Sequence, residues 1–265
     1  MNKDKTNVKY TKVNEQEWNN IVEAGCEWTK PISHESFIEN LQDNFKFYLS
    51  PSIPIPRTWF PSDIKGSKVL GLACGGGQQM PILAGNGADC TVLDISEKQL
   101  EQDMSVMNRE NIKYNLVHGD ITEKLPFNND SFDIIILAFV NLYIEDMQFV
   151  WDECYRVLKK GGIIISTLDN GINCLFKDQF KEPLIVENKL PLNTLKDRLD
   201  LDGYNGYNKD KLYRFSHTLE DNIRGQLKAG FTLIDLFEDR DTKETEGFLI
   251  KNYIPQYINT LAKKC

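Results

Sequence analysis

Three consecutive glycines, Gly75, Gly76 and Gly77, stand between the apolar run KVLGLA and the stretch QQMPIL, and Asp94 follows nineteen positions after the first of them. Glycines in a turn leave backbone N–H groups bare and let a ligand approach the chain closely. The helix expected just beyond them presents its positive end to a carboxylate or phosphate, and Pro81 suits a first helical turn, where a missing N–H costs nothing. Asp94 closes the run DCTVLDI. A carboxylate at the end of a second strand accepts both hydroxyls of a ribose and repels a 2′-phosphate. Capping of the next helix is the competing role for Asp94, but Ser96 is the better cap. The dinucleotide pattern G-x-G-x-x-G is not met, because Gln78, Gln79 and Met80 follow Gly77 and its third glycine is missing.

Other residues could move protons. His34 and His217 fall at expected helix starts and are candidate bases, whereas His118 lies within a strand and reads as structural. Tyr155 and Lys159 show the Tyr-x-x-x-Lys spacing of short-chain dehydrogenases, which would place both on one helical face. Against that pairing, Val150, Cys154, Val157 and Leu158 set the buried stripe, and the helix is expected to stop at Gly161. The six cysteines are scattered without C-x-x-C pairs or zinc-type histidine spacing, so reduced thiols and no metal site are expected.

Several elements must position these residues. With 265 residues and 41% hydrophobic content, the chain can bury a sizeable core. A net charge of −8 disfavours phosphate-backbone binding. The N-terminus lacks the apolar core of a signal peptide, and no run is long enough to span a membrane. A cytoplasmic protein is therefore expected. Two helices are predicted near 14–24 and 33–48, then a connector broken by Pro51, Pro54, Pro56 and Pro61. From Lys68 to about Leu168, five apolar strands alternate with helices, the pattern of a parallel sheet covered on both faces. About 45 polar, tyrosine-rich residues follow, 169–215, and a segment so long inside a domain is usually functional. A helix ending at Gly230, a strand FTLIDLFED and an antiparallel closing strand in PQYINTLAKK complete the pattern.

The ordered set VLGLACGGGQ, VLDIS, GDITEKLPF, SFDIIILAFV and ECYRVLKKGGIIIST resembles the class I S-adenosylmethionine-dependent methyltransferases of the small-molecule group called type 11. EWTKPISHESF, TWFP, SEKQLEQD and FSHTLEDNIRGQLKAGF extend the likeness to a bacterial subgroup of such proteins. The resemblance implies a Rossmann-like, doubly wound, seven-stranded, mostly parallel sheet. An N-terminal helical cap and connector (1–66) and an S-adenosylmethionine-binding domain (67–265) with an inserted lid would form one unit.

It further implies a cofactor site of Leu72, Ala73, Cys74, Gly75, Gly77, Gln78 and Gln79 around the methionine part, Asp94 and Ile95 at the ribose, Asp120 and Ile121 at the adenine, and Ala138 and Phe139 beneath the sulfonium. Gly71 stands where the family usually has an acid, and Ala73 where it has a glycine. Gln78 or Gln79 is expected to supply the missing polar contact. Trp28, Trp59, Asn141, Tyr143, Tyr204 and Tyr207 are expected to line the acceptor pocket, since aromatic faces attract a sulfonium. Asn141 and Tyr143 lack the Asn-Pro-Pro-Tyr or Asp-Pro-Pro-Tyr pattern of enzymes acting on nucleic-acid amino groups. His34, His217 and Tyr143 are the catalytic candidates, the acceptor is expected to be a small molecule, and neither nucleic acid nor membrane is expected as a partner. A non-catalytic S-adenosylmethionine sensor and a nicotinamide dehydrogenase are the alternatives.

Overall fold

The computed structural model describes residues 9–41, 45–176, 178–196, 211–242 and 249–265. Tyr204 and Tyr207 lie outside them. Seven strands form one sheet in the order β3-β2-β1-β4-β5-β7-β6. The strands are β1 (Lys68–Leu72), β2 (Asp89–Asp94), β3 (Asn115–His118), β4 (Phe132–Ala138), β5 (Leu158–Asp169), β6 (Phe231–Asp239) and β7 (Tyr257–Lys264). β1 to β5 pair in parallel, and β7 inserts antiparallel between β5 and β6.

Side-chain alternation assigns the two faces. Val69, Val92, Ile134, Ile136 and Ile165 point to one layer, and Leu70, Leu72, Leu93, Ile135, Leu137 and Ile164 to the other. The second layer is closed by α5 (Met147–Val157), where Val150, Cys154 and Val157 of the stripe read from the sequence are buried together with Trp151, while Leu158, also assigned to that stripe, is buried as the first residue of β5. The first is closed by α3 (Met80–Gly85), α4 (Glu97–Glu110) and the proline connector.

The helix predicted over 33–48 is only α2 (His34–Glu39), capped by the Ser33 hydroxyl. Beyond it, Phe45, Phe47 and Leu49 are buried while Lys46 and Tyr48 are exposed, a period of two that requires extended chain. Trp59 belongs to this layer. It is buried, its indole N–H donates to Asp235 Oδ2 at 3.0 Å, and its ring packs on Phe237.

α1 (Tyr10–Glu23) begins earlier than its sequence signal. α5 stops at Val157, and the residues LKKGG that follow open β5 at Leu158 instead of ending a helix. Lys159 therefore leaves the helix that carries Tyr155 and pairs with Asp133 at 2.8 Å, so the dehydrogenase-type face does not form. The helix expected to end at Gly230 is a wide π turn, Glu220–Arg224, running into α6 (Gly225–Ala229). Gly230 closes it with φ +108°, as a C-terminal glycine does. No described helix is long and apolar enough to cross a membrane.

Candidate active site

One cavity of about 530 Å³ opens at the carboxyl ends of β1, β2, β4 and β5. The order of strands reverses between β1 and β4, and such a switch point is where open α/β sheets bind ligands. Ala73, Cys74, Gly75, Gln78 and Gln79 line it after β1, Asp94, Ile95 and Gln99 after β2, Asp120 and Ile121 after β3, and Ala138 and Phe139 after β4. Leu72 is wholly buried in the sheet and Gly77 packs against α4, so these two support the turn from behind.

The glycine turn is held from below by two carboxylates. Asp94 Oδ2 accepts Gly75 N–H at 3.0 Å, and its Oδ1 accepts Ser96 N–H at 2.8 Å. Asp94 thus shapes both the turn and the start of α4, although Ser96 provides the side-chain cap to Gln99 N–H. Asp103, fully buried on α4, accepts Gly76 N–H at 2.9 Å and the Tyr114 hydroxyl at 2.7 Å. Desolvation raises Asp94, and raises Asp103 to about 7 against the pull of those hydrogen bonds. Sequence reasoning missed Asp103. A charged residue on the sheet-facing side of an otherwise amphipathic helix was the signal that could have found it.

Two residues of the turn depart from glycine-rich convention. Ala73 has φ +50°, a conformation that costs an L-residue roughly 1–2 kcal/mol. Gly71 is packed beneath the turn: a Cβ there would lie 2.8 Å from Met80 Sδ and 3.0 Å from Cys74 Cβ. Met80 therefore fills the space that an acidic side chain at this position would need. The glutamines face the cap. Gln78 Nε2 donates to Trp28 O (2.7 Å) and Lys30 O (3.0 Å), and Gln79 Nε2 reaches Tyr48 O at 3.4 Å. Ile32 N–H also donates to Gly77 O, tying the N-terminal segment to the turn.

The residues present fit a nucleoside-containing cofactor. The buried Gln99 Oε1 has no partner among the described residues, and a Cβ on Gly76 would fall 2.9 Å from it. A Cβ on Gly75 would similarly fall 2.9 Å from Asp94 Oδ2. Side chains are thus excluded from the floor beside this carboxylate and amide. Asp120 has Oδ1 bound by Thr122 N–H and hydroxyl and Oδ2 paired with Lys9. Partial desolvation opposes ionisation there, but the bonds from Thr122 and Lys9 win and hold the carboxyl below the ordinary range.

The opposite wall comes from scattered segments: Thr11, Asn14, Trp18 and Ile21 on one face of α1, Trp28, Tyr48 to Pro51, Leu142 and Tyr143, and residues after β5. Trp18 and Tyr143 meet edge to face at 5.3 Å, as do Phe139 and Tyr257 at 5.2 Å. Phe139 holds φ +51°, with its N–H bound to Thr167 O. Strain of this kind, about 1–3 kcal/mol, persists where surrounding contacts fix it. Asp169, at the end of β5, and Asn173 complete this wall. Burial raises Asp169 to about 6.

Four expected site residues stand elsewhere. Trp59 is in the core layer beneath the sheet, out of a ligand's reach. His34 is on the surface, with Nδ1 2.8 Å from Glu110 Oε2. His217 Nε2 lies 2.8 Å from Ile144 O, and burial keeps its imidazole below the ordinary value, so it serves as a structural donor behind the wall. Asn141 is fully buried and clamps the backbone of Asp169, donating to Asp169 O at 2.8 Å and accepting Asp169 N–H at 2.9 Å. Among the aromatic candidates within the described residues, Trp28 and Tyr143 line the cavity. Trp18, Tyr48, Tyr257, Asp169, Asn173 and Arg214 were not foreseen; the spacing 11, 14, 18, 21 on α1 was a legible stripe.

Strand order, an antiparallel β7 and a glycine turn facing an acid across the switch point define the class I methyltransferase fold. A methyltransferase-domain family model matches residues 70–166. The chain is 37% identical over 253 residues to the uncharacterized methyltransferase YbaJ of Bacillus subtilis, covering 95% of this chain and 97% of that one. It belongs to the methyltransferase family. A demethylmenaquinone methyltransferase of Clavibacter sepedonicus shares 35% identity over 102 residues, 38% of this chain and 41% of that protein. The crystal structure of an S-adenosylmethionine-dependent methyltransferase from Mesorhizobium loti superposes with a TM-score of 0.59 at 18% identity, over 78% of this chain and 94% of that one.

Proposed function

We propose that this protein is a cytoplasmic enzyme that transfers the methyl group of S-adenosylmethionine to a small molecule. The observation that carries the reading is one cavity with two unlike walls. One wall is glycine turn, buried acids and the β3–β4 ends; the other is aromatic and carries a further buried acid. On this reading Ala73 to Gly75 receive the methionine part, Asp94 and Gln99 the ribose, Asp120 and Ile121 the adenine, and Ala138 and Phe139 lie beneath the reacting centre. S-adenosylmethionine supplies an electrophilic methyl group whose sulfur departs as a neutral thioether. The chain's contribution is then alignment and exclusion of water, which needs no proton donor at the leaving group.

The cap (1–66) and the remainder (67–265) act as one unit in this scheme. Gln78 reaches back from the glycine turn to Trp28 O and Lys30 O, so the cap covers the cofactor wall. Calorimetric titration with S-adenosylmethionine, S-adenosylhomocysteine and NADH tests the reading. Saturable binding of the first two without NADH binding is expected. Binding of NADH alone, or of none of the three, would overturn it.

A further inference from the structure

The aromatic wall contains a polar station, Asp169 with Asn173, whose hydrogen-bonding capacity is not used up among the described residues. Asp169 ends β5, fully buried, and its position is fixed from several sides. Asn141 clamps its backbone N–H and C=O, and Asn222 Nδ2 reaches the same carbonyl at 3.5 Å. Its Oδ1 accepts Gly171 N–H at 2.6 Å. Its Oδ2 meets, among the described residues, only the Asn173 amide nitrogen, at 3.5 Å, the outer limit of a hydrogen bond. The reverse orientation of that amide would set two acceptors together, so the nitrogen must face the carboxylate. Asn173 Oδ1 is then left buried without a described partner, on a side chain only 3% exposed. Both residues line the cavity.

A buried carbonyl oxygen without a donor is costly, and a half-satisfied carboxylate beside it is more so. A ligand that donates to both removes both penalties. The same wall carries Trp18, Phe139, Leu142, Cys174 and Leu212, with the polar Gln179 and Arg214 also lining the cavity. The other ionisable groups lining this wall are Cys26, Tyr48, Tyr143, Cys174, Arg214 and Tyr257. Burial and the neighbouring Asp169 charge both push the Tyr257 hydroxyl up, so it remains protonated and does not compete as a base.

We propose that Asp169 and Asn173 hold the methyl acceptor, which is a molecule with an apolar, ring-sized body carrying two neighbouring hydrogen-bond donors, at least one of them the reacting O–H or N–H. Asp169 Oδ2 takes the proton of the reacting group, and Asn173 Oδ1 receives the second donor. The electron pair freed by that proton forms the bond to the incoming methyl carbon, sulfur keeps the pair of the broken carbon–sulfur bond, and Asp169 is left as a neutral acid. A carboxyl raised to about 6 is ionised at neutral pH yet basic enough to accept that proton. This inference rests on the function proposed above.

The test uses the full chain loaded with S-adenosylhomocysteine and two ring probes of similar size, 1,2-dihydroxybenzene and 1,2-dimethoxybenzene, with binding followed by ligand-observed NMR. The hydroxylated probe should bind at least roughly tenfold tighter, the equivalent of one hydrogen bond to a charged group. Asp169→Asn and Asn173→Leu should each erase most of that preference while keeping S-adenosylhomocysteine affinity and a cooperative thermal transition. Asp169→Asn is isosteric and guards against loss of fold. Equal binding of the two probes, no binding of the hydroxylated probe by the loaded protein, or an undiminished preference in Asp169→Asn would overturn the assignment. Failure to bind S-adenosylhomocysteine at all would instead overturn the function on which it rests.

Discussion

Replacing Asp103 tests how the glycine turn is held. In Asp103→Leu the side chain keeps its branched shape, but the Tyr114 hydroxyl loses its acceptor in a dry interior and the Gly76 N–H is left with Gln99 O alone. The orphaned hydroxyl costs about 1–3 kcal/mol, so a loss of that order is expected, offset in part by no longer burying a carboxyl. The turn it supports should relax, and S-adenosylhomocysteine affinity should fall at least roughly tenfold, a change of ~1.4 kcal/mol. Asp103→Asn keeps an acceptor for Gly76 and an amide for Tyr114, so it should fold and bind nearly as the parent does.

The two variants also separate a pH effect. The folded chain holds the Asp103 proton up to about pH 7, whereas the unfolded chain releases it near 3.8, chiefly because burial disfavours the charge. Between those values the folded state binds the extra proton, so stability falls as pH rises and levels off above about 7. About three pH units at ~1.4 kcal/mol each set an upper figure of about 4 kcal/mol. Urea unfolding from pH 4 to 8 should show this decline in the parent and a shallower one in Asp103→Asn, with Asp169 still contributing up to about pH 6. Parent-like stability and affinity in Asp103→Leu, or an unchanged slope in Asp103→Asn, would refute the role given to this carboxyl.

Two further substitutions separate support from contact. Gly77→Ala would place a methyl 2.7 Å from Val106 Cγ2 and 3.1 Å from Gln102 O at φ +64°, so a loss of about 2–4 kcal/mol is expected by chemical denaturation, without direct loss of a ligand contact. Trp59→Phe removes the indole bond to Asp235 beneath the sheet and should cost about 1–3 kcal/mol, while S-adenosylhomocysteine affinity measured by calorimetry stays unchanged.

The sheet was legible because its strands are short apolar runs closed by glycine or acid, and the alternation with helices leaves few topologies. Asp94 was legible for the same reason, since it terminates such a run, but its grip on Gly75 and Ser96 is a property of the folded turn. The 33–48 segment misled because Phe45, Phe47 and Leu49 lie in a stretch whose composition suits a helix, and their period of two decides the matter only when read as packing. The second wall was least legible. Asp169 and Asn173 follow an apolar run that ends at Leu168, one residue short of the strand itself, and Trp59, His34 and His217 offer chemistry that their neighbours consume structurally.

The two walls also differ in how they are laid out along the chain. One is a nearly continuous tract, 73–139, and lies within the 70–166 stretch that the family model matches. The other is assembled from pieces spread between Thr11 and Tyr257, most of them in connecting chain. Changes in those pieces can accumulate one loop at a time without disturbing strands β1 to β4, because connecting segments tolerate substitution far better than a packed sheet does. On the function proposed above, a lineage built on this plan can keep one methyl donor while wandering between acceptors, and similarity confined to the central tract carries no information about which acceptor a descendant has reached.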